Sequence, residues 1–263
     1  MIPMDEHALR QTLNGLPIPK IFYYKKTDST NERGLSMLNT RTVPEYSLFV
    51  AESQTAGRGR MGRTWLTTPG ASLAFSVILH PSVSEMQELG LFSFLGALSI
   101  CHVLEKTCSS AIQVKWPNDV LLDGRKTAGV LAEASWEQDR LQGLVLGMGI
   151  NLHSVSVPND ADVLFPATCV QQHSSLSVHQ LPILREILDA LIFLRPSVGR
   201  PEFLVNYSQR LAYVGEMVRL SLPGGESITG KNLGVDRTGQ LRMELKGGSE
   251  AQYQIGDLSM RSD

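Results

Sequence analysis

The sequence has only three cysteines, and it lacks any long uninterrupted run of apolar residues. Cys101, Cys108 and Cys169 are odd in number and show no metal-ligand spacing. This excludes a disulfide framework and a zinc site as organising features, and free thiols fit a reducing cytosol. A proline and three charged residues interrupt the apolar stretch 181–194, so it is not expected to cross a bilayer.

The chain also lacks an excess of charge of one sign and an apolar N-terminal segment. Its formal net charge is −2 at pH 7 and its pI is about 6.3, which argues against binding of nucleic acid over the whole surface. The N-terminal sequence MIPMDEHALR carries acidic residues and no apolar run, so we expect no signal peptide. A soluble, cytoplasmic protein is therefore expected.

Hydrophobic residues make up 42% of the 263 residues, which is sufficient for a packed core. After a leader that ends at Pro19, the patterns predict a mostly antiparallel sheet with helices on it. A capping box of Ser29 and Glu32 is expected to open the first helix. The predicted helices are about 29–39, 85–107, LPILREILDALIFL and a short one near 202–210, and the predicted strands are IFYYKK, 48–52, 72–79, IQVKW, VLLDGRKTAGVLAEAS and LQGLVLGMGIN.

From Met217 the pattern changes to short alternating segments separated by turns such as PGG, DRTG and KGGS. Five such segments, MVRLSL, SITGKNLG, QLRMEL, AQYQI and DLSMR, predict a small all-β module of roughly 50 residues. A module of this size is too small for a large core, so we expect it to pack against the main domain. The sequence therefore predicts an α+β fold with two domains, 1–213 and 214–263.

The stretch GRGRMGRTW, residues 57–65, is close to a phosphate-binding P-loop but has Arg63 where that motif has lysine. A P-loop leads from a strand into a helix, whereas here a Pro-Gly pair and a second predicted strand follow. If the loop binds phosphate, it does so mainly through Arg58, Arg60 and Arg63, because guanidinium groups make paired hydrogen bonds to phosphate oxygens. A mobile basic loop and an Arg-Gly tract that contacts nucleic acid are the alternatives.

Three further segments carry groups suited to a polar ligand. DSTN (28–31) lies at a predicted helix N-terminus, where it could bind a carboxylate or serve as an ordinary N-cap. KWPND (115–119) places an amide and a carboxylate after a strand, and Lys126 lies on the return strand. An ordinary turn explains Asn118 and Asp119 equally well, and a solvated hairpin tip explains Lys126. Two glycines in GMGIN (147–151) would let a backbone or a flat ligand approach closely.

Taken in order, DSTN, AESQTAGRGRMGRTW, KWPNDVLLDGRKTAGVLAE and GMGIN strongly resemble the biotin protein ligases, also called biotin–[acetyl-CoA-carboxylase] ligases. The resemblance covers 27–151, and the module with DLSMRS is similar to that family's SH3-like end domain with lower specificity. The family implies a catalytic domain like those of class II aminoacyl-tRNA synthetases, followed by an SH3-like β-barrel. It also implies that biotin and ATP, with Mg²⁺, give biotinyl-5′-AMP, and that the biotinyl group passes to one lysine of a biotin carboxyl carrier protein.

The resemblance further implies a set of site residues. Lys126, Arg58 and Asp119 are expected to be catalytic. Attack of the biotin carboxylate on the α-phosphate builds negative charge, and the cations expected to neutralise it are Arg58, Arg60, Arg63 and Lys126. No protein-held metal site is expected. The residues expected to bind biotin or the nucleotide are Ser29, Thr30, Asn31, Gln54, Gly57, Arg58, Arg60, Arg63, Trp65, Asn118, Lys126, Gly129, Gly147, Gly149, Asn151 and Arg261.

Particular roles follow from the same resemblance. The residues that would line the biotin site are Ser29, Thr30, Gln54, Gly57 and Arg58. Lys126 would reach both the carboxylate and the α-phosphate. The three later glycines would form a flat wall against the biotin ring, where a β-carbon would intrude. Trp65 would pack near the adenine, and Arg261 with Asp257 would face the nucleotide. The roles of Asn118 and Asp119 stay open between the ribose, the metal and the incoming lysine.

Two other classes of protein compete with this interpretation. A lipoate-type ligase shares the fold and chemistry, but its Arg-rich stretch ending in a Gly-Gly-Gly run and His-Asp is not found. An Arg-Gly nucleic-acid binder would need further basic patches with aromatics between them. Some relatives are transcriptional repressors with an N-terminal DNA-binding domain, whereas 27 residues precede Asp28 here. We therefore expect no binding to DNA or membranes, and the resemblance leaves a homodimer open.

The basic loop is also expected to act as a gate. Its glycines leave the backbone free, and its three arginines repel one another when no anion is present. We therefore expect the loop to be mobile until biotinyl-AMP orders it.

Overall fold

The larger of two sheets forms the centre of the computed structural model, which describes residues 4–40, 42–159 and 165–260. Its strand order is β1-β2-β3-β7-β6-β5-β4. β1 and β2 are parallel, and the other neighbours are antiparallel, which confirms the predicted mostly antiparallel sheet. The strands are β1 Ile21–Tyr24, β2 Leu48–Ala51, β3 Ser72–Leu79, β4 Ile112–Lys115, β5 Asp119–Leu122, β6 Arg125–Glu137 and β7 Arg140–Asn151.

The turn between β5 and β6 shows how local sequence specifies this sheet. Asp123 and Gly124 have φ values of 46° and 72°. Two successive residues with positive φ form the turn that matches the twist of a two-residue hairpin, and Asp-Gly is a preferred pair for it. The predicted hairpin is confirmed, and it places Lys126 at the start of β6.

Helices cover both faces of the larger sheet. The α-helices are α1 Glu6–Thr12, α2 Thr30–Thr40, α3 Leu91–Thr107, α4 Gln180–Leu194 and α5 Pro201–Ser208. In β3, Leu73, Phe75, Val77 and Leu79 belong to the core that contains α3 and α4, whereas Ile78 packs in a second cluster with Leu38 of α2. Because both faces of β3 are covered, every residue from 72 to 79 is buried, and the strand is apolar apart from two serines.

Two local predictions were wrong, and the leader contains a helix that the sequence patterns did not indicate. This helix is α1, and its N-cap Asp5 accepts a hydrogen bond from the Ala8 N–H at 2.8 Å. Helix α3 begins at Leu91 because Glu85 instead belongs to a separate 3₁₀ turn, where it accepts from the Ser82 N–H at 2.7 Å. The capping box at Ser29 is absent because the adjacent Asp28 carboxylate accepts from the Ser29 N–H at 2.7 Å.

The second sheet contains the five short strands that the sequence predicted, in the order β11-β10-β9-β8-β12. Its inward side chains, such as Val218, Leu241 and Leu258, are buried in the same cluster as the helices of the larger sheet. The two sheets therefore share one core. The strands are β8 Met217–Ser221, β9 Ser227–Val235, β10 Leu241–Leu245, β11 Glu250–Tyr253 and β12 Asp257–Met260.

Over the described residues, helices are too short or too polar to span a bilayer.

Candidate active site

A cavity of about 410 Å³ lies over β6 and β7, beside the N-terminus of α2 and under the basic loop. This volume suits a small organic ligand. The unpredicted residues Phe165 and Ala167 add one wall. Fifteen predicted residues line the cavity: Ser29, Thr30, Asn31, Gln54, Arg58, Arg60, Arg63, Trp65, Asn118, Asp119, Lys126, Gly129, Gly147, Gly149 and Asn151.

Two predicted residues do not line it in the described structure. A β-carbon on Gly57 would lie 2.3 Å from the Trp65 carbonyl oxygen, and the Trp65 N–H donates to the Gly57 carbonyl at 2.8 Å. Gly57 thus closes the base of the loop, where a side chain would not fit. Arg261 lies outside the described residues.

Hydroxyl and amide groups at the start of α2 form one end of the cavity. The Gln54 Oε1 atom accepts from the Thr30 N–H at 2.8 Å, so this glutamine caps the helix. Asn31 Nδ2 donates to Glu133 Oε2 at 2.8 Å, and Ser76 Oγ donates to Asn31 Oδ1 at 2.6 Å. These bonds fix the orientation of side chains that can recognise a polar, uncharged ligand group.

The glycines of β6 and β7 make room for two protein side chains. A β-carbon on Gly147 would lie 2.0 Å from Asn31 Oδ1, and one on Gly149 would lie 2.3 Å from Trp65 Cε2. The Trp65 indole also covers Gly129, where the corresponding distance is 3.2 Å. The surface predicted to be a flat wall is therefore covered by Asn31 and Trp65 in this structure.

A network of five charged groups forms the other end of the cavity. Lys126 Nζ lies 2.7 Å from Asp119 Oδ1, and Lys115 Nζ lies 3.1 Å from Asp119 Oδ2. Asp257 of β12 then bridges Lys115 at 2.7 Å and Arg63 at 2.6 Å. Three cations and two carboxylates leave the network with one surplus positive charge.

Lys115 is the member of this network that the sequence did not identify. Its side chain is only 2% exposed. Its position in an apolar strand just before the WPND turn is the signal that could have identified it, because a buried lysine needs an acidic partner.

Burial and neighbouring charges act in opposite directions on the pKa values of this network. Burial alone would raise the pKa of Asp119, but the ammonium groups of Lys126 and Lys115 outweigh it and hold that pKa well below its ordinary value. Burial would likewise raise the pKa of Asp257, but Lys115 and Arg63 lower it below its ordinary value. Burial would lower the pKa of Lys115, but the two carboxylates raise it. The buried groups are therefore charged at neutral pH.

The three loop arginines differ in their partners. Arg58 pairs with Glu32 and with Glu133, each at 2.7 Å, and Arg63 pairs with Asp257. Arg60 has no carboxylate within ion-pair distance among the residues that the structure describes, and burial lowers its pKa. Two of the three arginines are thus neutralised locally, which weakens the repulsion expected within the loop. The ordering of this loop by bound ligand stays a prediction.

Comparisons with known proteins extend these observations. The biotin/lipoate A/B protein ligase family matches residues 23–151. The chain is 30% identical over 263 residues to the biotin–[acetyl-CoA-carboxylase] ligase of Mycobacterium tuberculosis, covering 97% of this chain and 95% of the relative. It is 29% identical over 255 residues to the bifunctional ligase/repressor BirA of Bacillus spizizenii, covering 95% and 77%. The solved biotin protein ligase of Aquifex aeolicus in complex with biotin and ATP gives a TM-score of 0.77 at 29% identity, covering 94% of this chain and all of that one.

Proposed function

This chain belongs to the biotin/lipoate A/B protein ligase family, and we infer from its relatives and its cavity that it is a biotin protein ligase. It activates biotin with ATP as biotinyl-5′-AMP and transfers the biotinyl group to a lysine of a biotin carboxyl carrier protein. The relatives named above are biotin ligases, which favours this function over that of a lipoate-type ligase.

The observation that carries the proposal is the cavity's division into a hydroxyl- and amide-lined end and a cationic end. Biotin has a ureido group that donates and accepts hydrogen bonds, an apolar ring and a terminal carboxylate. We propose that the ureido group binds near Ser29, Thr30 and Gln54, and that the carboxylate points toward Lys126. Movement of the Trp65 indole away from Gly149 would expose the glycine surface to the ring and place the indole near the adenine.

In the first step a biotin carboxylate oxygen attacks the α-phosphorus of ATP. A new P–O bond forms, and the bond to the bridging oxygen of the β-phosphate breaks, so pyrophosphate leaves. The two anions repel each other, and positioned cations must offset the charge in the transition state. We propose that Lys126 does so, with Asp119 holding its ammonium group at 2.7 Å. Arg60, which has no carboxylate within ion-pair distance in the described part of the chain, would contact the phosphates.

In the second step the uncharged ε-amine of a carrier lysine attacks the carbonyl carbon of the mixed anhydride. A C–N bond forms, the C–O bond to AMP breaks, and the amine loses a proton. Asp119 is a weak base because its pKa is well below its ordinary value. We therefore propose that Asp119 positions Lys126 and that water or the departing phosphate takes the proton.

Mg²⁺ is part of the proposal as a partner of the ATP phosphates. Within the described ranges, His, Cys, Asp and Glu side chains form no group of three that could hold a metal ion, and both oxygens of Asp119 already pair with lysines. The residues present therefore fit a metal held chiefly by the nucleotide, as Mg²⁺ commonly is. When bound, Mg²⁺ would supply positive charge to the phosphates.

Finer features of the fold belong to the same proposal. We propose that 1–213 forms a catalytic domain like those of class II aminoacyl-tRNA synthetases, and that 214–263 forms an SH3-like barrel. Five short antiparallel strands support the second assignment. The net charge of −2 supports the absence of DNA binding. A cytoplasmic location and a homodimer stay predictions.

The test uses the purified chain with ATP and either biotin or lipoate. We expect pyrophosphate release with biotin and a biotinyl mass increment on a carrier domain in mass spectrometry. Release that depends on lipoate and not on biotin would refute the proposal.

A further inference from the structure

A cluster outside the cavity joins the β5–β6 turn to the segment that forms one wall of the cavity. His173 ends the 3₁₀ turn Val170–His173, and 13% of its side chain is exposed. Its Nδ1 lies 2.7 Å from Ser110 Oγ and 3.3 Å from Asp123 Oδ2. Its Nε2 lies 2.9 Å from Thr168 Oγ1. The imidazole thus spans the gap between the turn and the wall.

The wall segment is bonded directly to Lys126. The Thr168 N–H donates to the Lys126 carbonyl at 2.9 Å, and the Lys126 N–H donates to the Pro166 carbonyl at 2.8 Å. The Thr168 carbonyl also accepts from Asn151 Nδ2 at 3.2 Å. Thr168 is therefore the link between the imidazole and two cavity residues.

The two hydroxyls that contact the ring are themselves held by other side chains. Ser110 Oγ donates its hydrogen to Asp123 Oδ2 at 2.7 Å. Thr168 Oγ1 donates its hydrogen to Gln172 Oε1 at 2.9 Å. Each hydroxyl therefore has a fixed position, and the ring between them connects two ordered groups.

We propose that His173 is a positioning residue for Lys126 in the activation of biotin. The inference rests on the role proposed above for Lys126. The imidazole links the turn that precedes Lys126 to the wall that bonds its backbone, so the start of β6 is held from both sides. A small displacement of a reacting group lowers the rate steeply. Loss of either bond to the ring therefore lowers kcat and leaves recognition of the biotin ring at the other end of the cavity unchanged.

Charged and polar side chains from several elements surround the imidazole. Asp123 on the turn faces Nδ1, Arg125 follows on β6 and donates from Nε to the Ala167 carbonyl at 3.0 Å, and Cys108 at the end of α3 faces the Val170 carbonyl. Asp123 is the charged group in direct contact with the ring, so it helps to hold the imidazole against the turn.

The experiment compares two variants of the full chain with a matched control. His173→Gln keeps a donor for Thr168 and loses the bond to Ser110, whereas Thr168→Val removes only the hydroxyl and keeps the backbone bonds to Lys126. His102→Gln, at an exposed histidine of α3, is the control. Both test variants should lower kcat for pyrophosphate release by roughly 10- to 100-fold, with KM for biotin unchanged.

A double substitution separates positioning from a merely structural role. With Lys126→Ala already present, His173→Gln should cause no further loss of rate, because residues that act through one group are not additive. Equal fold losses in both backgrounds, or a parent-like kcat in folded His173→Gln, would overturn the inference. A parent chain that releases no pyrophosphate would instead refute the proposed function, and this inference with it.

Discussion

Replacing Lys126 with alanine should remove most biotin activation without unfolding the protein. Lys126 is the surplus cation of its network: once it is removed, Lys115 and Arg63 still balance Asp119 and Asp257. One charged donor to a transition state typically contributes about 2.7–4 kcal/mol, so kcat should fall by roughly 10²- to 10³-fold. Loss of one charge-assisted hydrogen bond should cost about 1.5–3 kcal/mol of stability.

Lys115→Met is the matched comparison, since it removes the lysine on the other side of Asp119. Lys115 is almost fully buried, and breaking a buried ion pair costs about 3–5 kcal/mol. At about 2–4 °C per kcal/mol for a chain of this size, Lys115→Met should melt about 6–20 °C below the parent, and Lys126→Ala about 3–12 °C below it.

The two variants are compared by pyrophosphate release with biotin and ATP and by thermal unfolding. Lys126→Arg adds a further control, because it keeps the charge and changes the geometry, and it should recover part of the rate. Near-normal release by folded Lys126→Ala would refute the assignment of this cation. An equal loss of stability in the alanine and Lys115→Met variants would refute the reasoning about charge balance.

Three further predictions concern the glycine surface, acid stability and the basic loop. Gly147→Ala should displace Asn31 and cost about 1–3 kcal/mol, and an unchanged melting temperature and biotin affinity would contradict this. The pKa of Asp257 is lowered in the folded state, so its stabilising contribution is complete above about pH 4 and is lost as pH falls further. Asp257→Asn should therefore lose stability less steeply in acid than the parent. Unfolding curves measured over a range of acidic pH would show this difference. Arg60→Gly should release biotinyl-AMP and label a bystander protein more than Arg58→Gly does. In this variant protease should still cleave within 58–63 when biotin and ATP are present. A variant that retains its adenylate as tightly as the parent would rule out the gate.

Local sequence patterns determined most of the elements. The Asp123-Gly124 pair alone predicts the hairpin that carries Lys126, since few other residues adopt two successive positive φ values. The alternating segments after Met217 predict all five strands of the second sheet, because polar and apolar residues there follow the two faces of each strand. The ordered motifs also identified fifteen residues that the structure brings to one cavity.

Only the tertiary structure decided which groups those residues contact. The spacing of Ser29 and Glu32 predicted a capping box, but Glu32 pairs with Arg58 from the basic loop, and Gln54 caps the helix instead. Lys115 pairs with Asp257, which lies 142 residues further along the chain. The residues next to Lys115 and those next to Asp257 therefore give no indication of the pair. Hydrophobic periodicity and turn preferences act within a few residues, and they specify where strands and helices form. The partners of a charged or hydrogen-bonding side chain depend instead on which distant segments the folded core brings together.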